Sequence, residues 1–267
     1  MQADNRIVGE QNRLNILHWL HRFGWLTSRQ IAALTWPNAN HGIALAQRTL
    51  ADMAISRQVL KRKLPSGGNA YMLGTKGVAI LNTELGLHAE RPVTFKLGNP
   101  VHRAACNWFL IRQIQAGLDV RTEYEIQSGK CSMHGYFSKI PDGLVLTDQG
   151  AIWLEVENAW KNRAERDKIV SFCANHLDNL ERMEQILDGW FLFRVEILAI
   201  NPDAAKNIAR SFTEAYQRGH IRERSLHDIW LIYAPMGKGL IYPDAREIAS
   251  GQMWYDVVLP QFEQVAA

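Results

Sequence analysis

Residues 141–157, PDGLVLTDQGAIWLEVE, carry three acids at spacings that can converge. In an extended strand alternate side chains share a face, so Glu155 and Glu157 project to one side and Leu154 and Val156 to the other. Asp142 opens the preceding strand, and a hairpin turning around Asp148-Gln149-Gly150 sets it across from the Glu155 and Glu157 end. Carboxylates that close repel one another unless a cation neutralises them. Hard divalent ions that take oxygen ligands and water meet that need, so Asp142, Glu155 and Glu157 are expected to hold Mg2+ or Mn2+. A lone E-x-E is usually a solvent-facing pair on an amphipathic strand. Here apolar Trp153, Leu154 and Val156 surround it, and a further acid recurs at the matching end of the neighbouring strand.

The other reactive residues form no comparable group. His18 and His21 stand one helical turn apart, but no acid or further histidine gathers near them in sequence, and packing and capping account for them. Cys106, Cys131 and Cys173 are odd in number and widely spaced, which fits reduced thiols and neither a zinc site nor a disulfide framework. Tyr124 and Tyr136 lie near the acids in sequence and read as packing or base-stacking residues. Trp153 reads as core. Trp160 stands at a helix start, and Trp254 and Tyr255 lie in the last residues of the chain.

Two sets of elements must position these residues. In the first half, leucines at helical spacing mark a helix over 10–23 that stops at Gly24, and Thr27-Ser28 caps a second that ends before Pro37. A third helix is expected over about 41–56, followed by the strands VLKRKL and AYML around the turn PSGGN and a closing helix at 74–86. Three helices and a hairpin spell a winged helix-turn-helix. In that arrangement Gln47, Arg48 and Arg57 come near DNA, and Lys61, Arg62 and Lys63 decorate the wing. From residue 100 the order is a helix, strand DVRTEYEI, strand KIPDGLVLT, strand AIWLEVE, a long helix at about 161–187, strand FRVEILAI, a helix over 202–218 and strand DIWLIYAP. This alternation implies an α/β domain with a mixed sheet between helices. The expected organisation is a DNA-binding domain over 1–90, a linker at 91–99 and a second domain over 100–267.

The charge distribution agrees with that division. Residues 1–98 hold 12 Lys and Arg against 5 Asp and Glu, a net +7, and the remainder holds 18 against 22, a net −4. A basic module joined to an acidic one suits nucleic-acid binding beside a site that collects carboxylates. The chain is 47% apolar and 21% charged, which excludes disorder. No run of residues approaches the ~20 apolar positions of a membrane span. The opening MQADNRIVGEQNR lacks a signal-peptide pattern, so a cytoplasmic protein without membrane insertion is expected.

The order αβββαβ over about 100–235, with Pro141-Asp142 on one strand and Glu155-Val156-Glu157 on the next, resembles the PD-(D/E)xK nuclease superfamily and its restriction-endonuclease-like fold. That motif ends in lysine where this chain has Glu157, so the resemblance moves the lysine role to Lys168 or Lys161 on the next helix. With the winged helix in front, PDG…LEVEN…K…K is similar to the plasmid replication-relaxation proteins and MobC-type relaxases. His102 on the helix before the sheet, and Lys168 with Phe172 on the basic helix, take part in that similarity. The resemblance implies metal-dependent nicking of double-stranded DNA at a plasmid transfer origin during mobilisation or conjugation. Asp142, Glu155 and Glu157 would hold the metal, Lys168 or Lys161 would meet the phosphate, and His102 would contact it or act as an acid or base. An accessory mobilisation protein and a coupling protein are the implied partners. Two other readings fit the same residues: a non-catalytic replication or transcription regulator with an inactive nuclease-like domain, and a restriction or repair endonuclease.

Overall fold

The structure is a computed structural model that describes residues 4–90, 98–134, 137, 139–158, 162–177, 185–187 and 189–253. It divides into two compact units, residues 1–115 and 116–267.

The first unit opens with α1 (Asn5–Phe23), which begins earlier than its leucines alone suggest because the Asp4 side chain accepts a hydrogen bond from Arg6 N at 2.9 Å. Ile16, Leu17, Leu20 and Phe23 form its buried stripe, and Gly24 at φ 75° ends it. After the short β1 (Leu26–Thr27), a capping box between Thr27 and Gln30 starts α2 (Ser28–Thr35). Next come α3 (Gly42–Ile55), β2 (Val59–Lys63), β3 (Asn69–Leu73) and α4 (Thr75–Glu84). The strands make an antiparallel sheet in the order β1-β3-β2. Gly67 and Gly68, at φ 89° and 75°, take the left-handed conformations that the hairpin between β2 and β3 needs. The helix α5 (Pro100–Gln115) counts with this unit, so the division falls later than the 91–99 linker expected from sequence, most of which lies outside the described residues. Buried amides tie α5 in place: Gln30 Nε2 donates to Ala104 O, and Asn107 Nδ2 to Trp25 O, both at 3.0 Å.

The second unit is α/β with a mixed sheet. Its elements are β4 (Asp119–Thr122), α6 (Glu123–Gln127), β5 (Gly143–Thr147), β6 (Gly150–Glu157), α7 (Arg163–Leu177), β7 (Gln185–Leu187) and β8 (Trp190–Ala199). They are followed by α8 (Pro202–Gln217), α9 (Glu223–Leu226), β9 (Ile229–Tyr233), a short 3-10 turn and β10 (Ala249–Gln252). The strand order is β10-β9-β8-β6-β5-β4, with β7 paired to β8. The β6–β8 and β8–β9 pairs are parallel and the others antiparallel. All eight residues of β6 are buried, as a central strand requires. One sheet face carries Trp153, Val195, Ile197 and Leu231, which share a core with Phe172 and Cys173 of α7 and with Ile208 and Phe212 of α8.

Two expected elements change. The strand expected through 119–126 stops at Thr122, because the Thr122 side chain and Glu125 form a capping box that begins α6. The helix expected over 161–187 ends its described course at Leu177, and Gln185–Leu187 is instead a strand on β8 that buries Ile186. No helix among the described residues is long and apolar enough to cross a membrane.

Candidate functional site

Sheet register brings two acids side by side, and a third comes close from the start of α6. Thr122 ends β4 paired with Gly143 and caps α6, so Glu123 stands where the β4–β5 ladder ends. Gly143 pairs with Leu154 on the β5–β6 ladder, so the next step in register sets Asp142 beside Glu155. Carboxylate oxygens of Glu123 and Asp142 lie within 4.8 Å of each other. Asp142 is held by the backbone on both counts: its N–H donates to Leu154 O at 2.9 Å, and its Oδ2 accepts from Val156 N at 2.7 Å.

Glu155 has no solvent exposure. Trp153 Nε1 donates to its Oε1 at 2.7 Å, and the Lys139 ammonium donates to its Oε2 as an ion pair. Burial, and then the neighbouring Asp142 charge, push its pKa up to about 7, against the opposing pull of Lys139 and the two hydrogen bonds. The interior around it is aromatic, with Trp153 and Phe172 ring centroids 4.4 Å apart and Phe137 5.5 Å from Trp153. Burial, reinforced by the Glu155 charge, likewise pushes the Cys173 thiol well up. Glu157 lies two residues further along β6, also buried, and its carbonyl accepts from Ile200 N at 3.0 Å.

The structure thus brings Asp142 and Glu155 together, as the hairpin spacing predicts, and adds two residues that the sequence reading missed. Glu123 became visible only once the Thr122–Glu125 capping box ended its strand. Lys139, three residues before Asp142, carries no spacing signal; its contact to Glu155 comes from the fold. Lys168 is exposed on α7, and no hydrogen bond or ion pair links it to the acids among the described residues. Lys161, Tyr136, Trp160, Trp254 and Tyr255 lie outside the described residues. His102 stands in the first turn of α5, in the first unit, with its N–H donating to Asn99 Oδ1 at 3.2 Å.

In the first unit, Gln47 and Arg48 are exposed on α3, on a face shared with Ile43, Ala44 and Ala51. Arg57 turns the chain toward β2 at φ 60° and is exposed. Lys61, Arg62 and Lys63 are all exposed on β2, an edge strand.

Glu123 and Asp142 offer carboxylate oxygens close enough to share one metal ion. No protein-family model matches the chain, and no curated protein matches it significantly.

Proposed function

We propose that this protein is a metal-dependent DNA endonuclease of relaxase type that acts in the cytoplasm and nicks one strand at a plasmid transfer origin. In this reading the first unit is a winged helix-turn-helix and the second a restriction-endonuclease-like domain. The observation that carries the proposal is the meeting of three acids, with Asp142 beside Glu155 at the end of the β5–β6 ladder and the Glu123 carboxylate within 4.8 Å of that of Asp142. Asp142 and Glu123 would hold the ion, with Glu155 of β6 beside Asp142. A divalent ion there supplies charge for the phosphoryl group and makes water a better nucleophile near neutral pH. Glu155, with its pKa near 7, can take or give a proton at working pH. Trp153 and Phe172 exclude water behind it. On the first unit, the exposed Gln47 and Arg48 match adenine and guanine edges in a major groove, and Lys61, Arg62 and Lys63 match phosphates.

The test is relaxation of supercoiled plasmids, with and without a transfer origin, in Mg2+ or Mn2+. Nicking that needs the origin, the metal, Asp142 and Glu155 is the expected result. Absence of nicking by the wild type, with accessory mobilisation and coupling proteins supplied, removes the reading. A second reading, a DNA-binding regulator with an inactive nuclease-like domain, is favoured by Glu157 standing where the motif has lysine. Origin binding without nicking would select it.

A further inference from the structure

Lys139 pairs with the buried acid Glu155, and the sequence gives it no role. Its partnership with Glu155 is unequal, because the Glu155 side chain is 0% exposed and that of Lys139 24%. Trp153 therefore satisfies the carboxylate from the interior and Lys139 from the side that solvent reaches. Asp142 lies beside the same carboxylate and adds its charge, so the ammonium sits in the field of two acids. Asp142, half-buried beside Glu155, would also need a nearby cation to offset its repulsion of a substrate phosphate. The expected places for one are Glu157, an acid; Lys168, exposed and, among the described residues, without a hydrogen bond or ion pair to the acids; and Lys161, outside the described residues.

We propose that Lys139 is the phosphate-binding lysine of this site, resting on Glu155 when no substrate is bound and donating to a non-bridging oxygen of the scissile phosphate when DNA occupies it. The inference rests on the metal-dependent nuclease reading above. Three ammonium hydrogens on a flexible four-carbon stem let Lys139 keep one bond to Glu155 while turning another toward the phosphate. In the cleavage step a P–O bond forms to the attacking water oxygen and the P–O bond to the departing sugar oxygen breaks. One water proton ends on that departing oxygen. Lys139 exchanges no proton; it stabilises charge that gathers on the non-bridging oxygens.

The test compares the full-length wild type with Lys139→Met, Lys139→Gln and Lys139→Arg in two measurements. One is Mn2+ binding, read from the electron paramagnetic resonance signal of free Mn2+, and the other is plasmid nicking at saturating Mn2+. Removing the positive charge beside the acids should tighten Mn2+ binding about tenfold. Nicking at saturating Mn2+ should nevertheless fall about 10²-fold in Lys139→Met, as when one preorganised donor to a transition state is deleted. Lys139→Arg should recover part of that loss. Lys139→Gln keeps a neutral donor for Glu155, so it stands in where Lys139→Met does not fold, and the same loss is expected. Full-rate nicking by either folded neutral variant overturns the proposal and leaves the nuclease reading intact. A wild type that neither binds Mn2+ nor nicks any plasmid overturns both.

Discussion

The two units handle charge in opposite ways. On β2, Lys61, Arg62 and Lys63 are all exposed. On β6, Glu155 is sealed beneath Trp153 and Lys139, and Asp142 beside it accepts a backbone N–H at 2.7 Å. Exposed charges keep their water, so a chain can carry many of them, each contributing little to the fold. Buried charges must each find partners, and losing one orphans the others. The first unit therefore spreads its charge over exposed residues, and the second gathers it in a few that are buried or half-buried.

The largest effect that tests this contrast is expected at Asp142. Asp142→Asn keeps an acceptor for Val156 N–H, so the fold should survive while nicking falls about 10³-fold, the scale for loss of a group that acts in the transition state. Asp142→Ala should lose the same rate and about 1–3 kcal/mol of stability as well, because the Val156 N–H is left without its partner. Plasmid relaxation and urea denaturation separate the two losses. Equal stability of the Asn and Ala variants would break the claim that the backbone depends on this acid.

Glu155 supplies the next effect. Its folded pKa of about 7 lies above the ordinary 4.5, so folding favours the protonated form. Its contribution to stability is then whole below about pH 4.5 and is lost as pH rises through about 7. The shift corresponds to on the order of 3 kcal/mol. Denaturation at acid and alkaline pH should show wild type losing more stability on that climb than Glu155→Gln, which cannot ionise there. Parallel curves for the two proteins would show that the group does not titrate in that window.

Much of the scaffold beneath this contrast is legible in the sequence because its signals are local. Thr27 and Gln30 write the capping box of α2, PSGGN writes the hairpin, and the apolar run of 151–156 writes β6. Asp142 and Glu155 meet because a tight hairpin converts sequence spacing into register. What escapes the sequence depends on partners far along the chain. Gln185–Leu187 becomes a strand only by pairing with β8, and Ala249–Gln252, with small and polar residues, only by pairing with β9. Glu123 nears Asp142 because α6 starts where the β4–β5 ladder ends, and Lys139 reaches Glu155 across 16 residues, a contact no spacing rule describes.

The remaining predictions probe the exposed side of the comparison. Arg48→Ala should relax specificity at one base pair by about 1–3 kcal/mol in a competition binding assay, with affinity for other sequences little changed. A uniform loss across all sequences would instead make Arg48 a phosphate contact.

The smallest effect is expected at Lys63→Ala. One exposed lysine on an edge strand should change folding stability by no more than about 0.5 kcal/mol. If it meets one phosphate, its loss should lower the slope of log affinity against log salt by about 0.9, equally on every duplex tested. The same slope change should recur in Lys61→Ala and Arg62→Ala and sum in the triple variant, because water screens each charge from its neighbours. Strong non-additivity among the three would mean that the hairpin acts as one ordered contact. Its charges would then resemble the buried acids of the second unit more than their exposure suggests.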